Sequence, residues 1–287
     1  MECRYYERLD EGRVVCLLCP HHCHITNGKT GICRSRRNHD GVLVSEVYGK
    51  PCSLAIDPIE KKPLYHFHPG TKCLSIACTG CNFRCLNCQN HEISQVAPSD
   101  VSHYNLSPED VVSLCLEHHC PGIAYTYTEP LTYIEYIMDT ACLAHENGLW
   151  NILVTAGYVC PEPLADLLPF LDAANIDLKS FSDDIYQRIS GGHLSVVLDT
   201  ILAMRDAGVW IELTNLVIPT VNDDMNMIHQ MCHWIVANGL ASTPLHFSRF
   251  FPRYKMQDIP PTPLHTLQSA QRIALEAGIQ HVYLGNV

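Results

Sequence analysis

Short apolar, often β-branched runs recur along the chain from about residue 70 onward, with amphipathic stretches between most of them. Runs of this length bounded by turn residues read as buried strands. The candidates are Cys73–Ala77, Gly122–Thr128, Trp150–Thr155, Ala174–Lys179, Val209–Ile218, Pro244–Ser248 and His281–Leu284. Ser107-Pro108-Glu109-Asp110 marks a helix start: serine caps, proline takes the first position, and acids face the positive dipole end. Helical stretches run over 131–147, 194–207 and 266–277, and each stops at a glycine: Gly148, Gly208 and Gly278. Regular strand–helix alternation implies a parallel sheet. The expected fold is therefore α/β, a partial parallel (β/α)6 TIM-like barrel.

Residues 1 to about 60 break this rhythm. They are rich in Cys, His and Gly and show little helical periodicity. The chain is expected to divide there, with a small N-terminal Cys-rich metal-binding segment over 1–60 and the barrel over 61–287. A proline-punctuated connector, Asp57 to Gly70, joins the two. No internal repeat and no low-complexity tract is evident.

Composition narrows the function classes. Nearly half of the 287 residues are apolar (47%), so a substantial core can form, and only 17% are charged. A net charge of −11 without a basic block disfavours a phosphate-backbone partner. The densest basic run, Arg34 to Arg37, reads as a solvated loop. The first residues carry no apolar signal region, and no apolar run approaches bilayer-spanning length. The expectation is a cytoplasmic protein with neither nucleic-acid nor membrane partners. Sixteen cysteines then need an explanation, because a reducing compartment disfavours structural disulfides. Short Cys spacings in such a setting point to metal or catalysis.

One group sits just after the first strand of the alternating region: Cys81-x3-Cys85-x2-Cys88. Closely spaced thiolates suit soft metals and iron–sulfur clusters. Three ligands on a four-iron cube leave one iron open to a substrate. The loop after a barrel strand is where such folds place chemistry.

This pattern resembles the radical S-adenosylmethionine (SAM) superfamily. The wider context resembles one branch of it. Asp57-Pro58-Ile59-Glu60-Lys61-Lys62-Pro63-Leu64-Tyr65-His66-Phe67, then Gly80-Cys81-Asn82-Phe83 and Cys88-Gln89-Asn90, look like the AmmeMemoRadiSam-system proteins, relatives of the pyruvate formate-lyase activating enzymes. The resemblance implies a [4Fe–4S] cluster on Cys81, Cys85 and Cys88, with SAM on the open iron. It implies reductive cleavage of SAM to methionine and a 5′-deoxyadenosyl radical that takes a hydrogen atom from the substrate. It also implies a reductant such as flavodoxin or ferredoxin, a protein or small-molecule substrate, and Memo-like and AMME-like partner proteins. Related sequences often continue beyond Val287 into another Cys pair.

Residue by residue, the resemblance and the barrel reading give a set of cofactor contacts. Glu129, in Tyr127-Thr128-Glu129-Pro130, matches the carboxylate that meets the SAM amino group; alone it also reads as a helix cap. Asp177 and Lys179 share a strand face. The lysine is expected near the SAM carboxylate, against the plainer reading of an Asp–Lys ion pair. Asn215 is expected at the ribose or methionyl part. His246 is expected to touch SAM or substrate, or to be a satisfied core histidine. Asn222-Asp223-Asp224 reads as a helix cap. Asn87 stands where many family members place an aromatic residue before the last cluster cysteine. Adenine is then expected to stack on Phe83 or to be held by hydrogen bonds, with Asn87 among the contacts.

A second constellation, Cys16-x2-Cys19-x3-Cys23-x9-Cys33, lies upstream with His21, His22 and His24 interleaved. Four thiolates suit a tetrahedral structural zinc or a second iron–sulfur cluster. The competing reading of the whole chain is a non-catalytic zinc or iron–sulfur scaffold or electron carrier.

Overall fold

The computed structural model describes every residue from Met1 to Val287. The N-terminal part is built of small antiparallel pieces. β1 (Tyr6–Arg8), β2 (Val14–Cys16) and β3 (His24–Ile25) form a three-stranded ribbon, and β4 (Arg36–His39) pairs with β5 (Val42–Ser45). Asp40 and Gly41 make the β4–β5 turn with φ of 50° and 84°, the left-handed pair that lets two antiparallel strands meet without splaying.

The main sheet begins earlier than the sequence reading placed it. β6 (Pro51–Pro58) lies within the residues assigned to the Cys-rich segment, yet it pairs antiparallel with β7 (Lys72–Cys78). Its mixed burial pattern and flanking prolines mark an edge strand, which carries little apolar signal. From β7 onward the alternation holds. The elements that follow are α1 (Pro108–Glu117), β8 (Gly122–Tyr125), α2 (Ile134–Glu146), β9 (Trp150–Thr155), α3 (Pro161–Leu167), β10 (Ala173–Asp177), α4 (Leu194–Asp206), β11 (Trp210–Val217), α5 (Met225–Ala237), β12 (Leu245–Arg249), α6 (Leu264–Ala277) and β13 (Val282–Gly285). β7 to β13 run parallel in sequential order, and β6 and β13 are unpaired edges of the eight-stranded sheet. This is the open (β/α)6 arrangement the alternation predicts, with one further parallel strand and one antiparallel strand.

Helix starts follow local chemistry. Ser107 Oγ accepts from Asp110 N while Asp110 accepts from Ser107 N, a reciprocal capping box. Within the stretch read as a helix cap, Asp224 caps α5 by accepting from Asn226 N and Met227 N. The expected strand Gly122–Thr128 stops at Tyr125, because Tyr127 turns the chain with φ of 67°.

Two features shape the lumen. The connector after β6 enters it and is tied there: Asn175 Nδ2 donates to Pro63 O (2.9 Å), and Glu212 accepts from Tyr65 N (3.0 Å) and His66 N (2.8 Å). This plugs the end at the strand N-termini. One continuous core also runs from Cys3, Tyr5 and Val14 into the barrel residues. A buried ion pair between Arg36 and Glu135 (2.6 Å, each 1% exposed) fixes β4 to α2.

Candidate active site

The loop after β7 is held on every side. Gly80 has φ of 111°, and a Cβ there would lie 2.5 Å from the Cys33 carbonyl oxygen, so only glycine lets this loop lie on the N-terminal segment. The His21 ring donates to Asn82 O (2.9 Å), and Asn82 Nδ2 donates to Tyr158 O (2.7 Å). Further along, Arg84 N donates to Ser190 O (2.8 Å) and Leu86 N to Ile189 O (3.0 Å). The loop therefore has little freedom where its cysteines stand.

Cys81, Cys85 and Cys88 all line one cavity of about 550 Å³ at the C-terminal ends of the strands. That size lies within the range of pockets that hold cofactor-sized molecules. Two of the sulfurs have a polar neighbour: Phe83 N donates to Cys81 Sγ (3.3 Å), and Ser94 Oγ lies 3.1 Å from Cys88 Sγ. Burial pushes the thiols of Cys81 and Cys85 above the ordinary range. Three sulfurs lining one wide space fit a multi-iron cluster.

The cavity gathers most of the expected contacts. Asn87, Glu129, Asp177 and Lys179 line it. Lys179 Nζ lies 2.8 Å from Asp177 Oδ2, and its backbone is fixed by the Tyr186 hydroxyl (2.9 Å) and by Asn222 Nδ2 donating to its carbonyl (2.7 Å). Glu129 is buried and accepts from Thr155 Oγ1 (2.6 Å), Ala156 N (2.8 Å) and Leu131 N (3.2 Å). Burial raises its pKa, and the Thr155 and Ala156 donors oppose that rise. It thus both caps the turn at Pro130–Tyr133 and faces the cavity.

Three expected placements come out differently. Asn215 does not line the cavity, whereas Thr214 and Leu216 do. Strand alternation turns Asn215 to the opposite face of β11, where its Nδ2 donates to Leu178 O (2.7 Å). His246 is on the lumen side but too low: it is buried against Glu212 (2.7 Å) with its ring edge-on to Tyr65, beside the plug. The satisfied core histidine is the reading that fits. Phe83 borders the cavity, but its buried ring packs against Tyr158 and Tyr186, so it has no free face for adenine.

The sequence reading missed a charged group at the cavity floor. Asp57 bonds Lys61 Nζ (2.7 Å), Lys62 Nζ (2.6 Å) and the Tyr127 hydroxyl. Burial opposes its charge, yet the two lysines and the phenol hold its carboxyl well below the usual range. Lys61 and Tyr127 face the cavity, and Asn90 Nδ2 donates to Tyr127 O (2.7 Å). One acid with two lysines four and five residues on was the available signal.

A sequence profile of the radical SAM superfamily matches residues 75–232, more than half of the chain and the whole of this loop. The chain belongs to the radical SAM superfamily. It is 47% identical over 286 residues to an uncharacterised protein of Methanocaldococcus jannaschii, covering 100% of this chain and 85% of that one. It is 25% identical over 162 residues to a pyruvate formate-lyase-activating enzyme of Clostridium pasteurianum, covering 54% of this chain and 66% of that enzyme. It is 27% identical over 158 residues to a pyruvate formate-lyase 1-activating enzyme of Escherichia coli, covering 53% and 63%. Among solved structures, a radical SAM methyltransferase from Sphaerobacter thermophilus superposes with a TM-score of 0.59 at 13% identity, covering all of this chain and 77% of that one. SuiB of Streptococcus suis bound to S-adenosylmethionine gives 0.55 at 9% identity, covering 72% and 48%. These likenesses establish the radical SAM fold and a relationship to the activating enzymes. No helix is long and apolar enough to cross a membrane.

Proposed function

We propose that the chain reductively cleaves S-adenosylmethionine at a [4Fe–4S] cluster on Cys81, Cys85 and Cys88, for hydrogen abstraction from a protein or small-molecule substrate. The observation that carries this reading is the shared cavity: three thiols, a fixed ammonium and a fixed carboxylate face one space. When bound, the cluster would supply the electron that breaks the sulfonium bond of the cosubstrate.

The chain's own residues supply position and exclusion of water. Lys179, fixed at its backbone by Tyr186 and Asn222, suits a carboxylate partner. Glu129 accepts three hydrogen bonds, which leaves part of a carboxylate's acceptor capacity for an ammonium group. Asn87 offers an amide for ribose or base, in place of an aromatic stack. The plug around Pro63 closes the lumen below. The Asp57–Lys61–Tyr127 group at the floor is where the hydrogen donor would meet polar contacts.

An activating-enzyme-like role follows from the relationship to those enzymes, with a flavodoxin or ferredoxin as reductant and Memo-like and AMME-like proteins as partners. A cytoplasmic setting suits sixteen free cysteines. The quartet Cys16, Cys19, Cys23 and Cys33 stands outside this chemistry, because none of the four lines the cavity.

The test is anaerobic incubation of reconstituted protein with dithionite and SAM. 5′-Deoxyadenosine and methionine should appear in equal amounts, and Cys81→Ala should abolish both. A protein that binds iron and leaves SAM intact would favour the electron-carrier reading.

A further inference from the structure

The N-terminal quartet is a built site of its own. Cys16 ends β2, Cys19 and Cys23 follow in the turn before β3, and Cys33 precedes β4. All four line one small internal cavity of about 10 Å³, together with His21, Arg36 and Asn82. A cavity of that size holds one water-sized particle.

Two of the sulfurs at this cavity have a hydrogen-bond donor: Ile32 N donates to Cys23 Sγ (3.5 Å), and Ser35 Oγ donates to Cys33 Sγ (3.3 Å). Such donors favour sulfur that carries negative charge, as metal-bound thiolates do. One buried donor beside the same cavity, Arg36 Nε, has no partner. Arg36 is 1% exposed. A buried N–H without an acceptor is costly, and a charged sulfur site beside it would relieve that cost.

We propose that Cys16, Cys19, Cys23 and Cys33 bind one zinc ion in a tetrahedral four-sulfur site that clamps the N-terminal segment onto the Cys81 loop. As thiols, the four side chains line the walls without converging on a point. Metal binding replaces their protons and draws the sulfurs together. Zinc is the ion of choice because it accepts tetrahedral thiolate ligation without a redox change. The small cavity argues against a second four-iron cube, for which the 550 Å³ space around Cys81 has room and this one does not.

The clamp acts through two direct contacts. The Cys33 carbonyl abuts Gly80, and the His21 ring donates to Asn82 O, so ordering one loop orders the other. No electron transfer is required of this ion.

The test uses the full chain with Cys81, Cys85 and Cys88 all changed to alanine, which removes the proposed cluster and leaves the quartet. This variant should retain one zinc per chain by elemental analysis. Absorption at the zinc edge should fit four sulfurs at about 2.3 Å. Cys16→Ser with Cys19→Ser in the otherwise unchanged chain should lose the zinc and load less iron on reconstitution. Should that variant not fold, the edge spectrum of the alanine variant still decides the matter. No zinc in that variant, zinc with nitrogen or oxygen ligands, or a brown iron-loaded alanine variant would overturn the proposal.

Discussion

Lys179 and Glu129 divide the polar work of the cavity, and each is held so that its loss has a different signature. The Lys179 ammonium contacts only Asp177 within the chain. Lys179→Met should therefore leave stability nearly unchanged and weaken SAM binding by about 10- to 100-fold, the size of a charge-assisted hydrogen bond of about 1.5–3 kcal/mol. Equilibrium binding to anaerobic, cluster-loaded protein checks this, with a melting curve as control. Glu129 is structural as well, because Ala156 N and Leu131 N both donate to it. Glu129→Gln turns an NH2 group against one of these donors. It should lower unfolding free energy by about 1–3 kcal/mol, read from the denaturant midpoint at constant slope. That Asp177, Lys179 and Glu129 line the cavity was legible in the sequence because they lie at strand ends, and Asn87 because it lies within the cysteine motif. Asn215 and His246 were not. A strand's face and the height of a residue in the lumen depend on register, and Glu212 and Tyr65 occupy the level where His246 lies.

At the scale of elements, period and punctuation carried most of the barrel. Trp150–Thr155 is found as expected, and the helix starting at Leu194 ends within one residue of its expected stop. β6 escaped because an edge strand bracketed by prolines needs no apolar run. The zigzag of β1 to β5 escaped because strands of two to four residues are too short to show a period. The loop after β7 depends on contact with that unread segment, and glycine shows it. Gly80→Ala would set a methyl group against Cys33 O, with φ fixed at 111°. Its expected result is a protein that loads little iron on reconstitution. Gly70→Ala is the control, since its φ is 83° but nothing lies within 4 Å of the added carbon. It should cost about 1–2 kcal/mol of left-handed strain and leave iron loading intact. Equal iron loading in the two variants would contradict the contact argument.

Across the whole molecule, the Cys-rich segment and the barrel share one core and one buried charge pair. Nothing in the sequence paired Arg36 with Glu135, which lie 99 residues apart. Arg36→Ala leaves a buried carboxylate without its partner and should destabilise by about 3–5 kcal/mol. Arg36→Met with Glu135→Leu should recover most of that loss, as measured by chemical denaturation. The central claim, however, concerns the other end of the loop that this packing supports. Electron paramagnetic resonance of anaerobically reconstituted, dithionite-reduced protein tests it most directly. A reduced four-iron signal should appear, change shape when SAM is added, and vanish when Cys81, Cys85 and Cys88 are all alanine. A signal indifferent to SAM, or one that survives the loss of those three cysteines, would contradict the account.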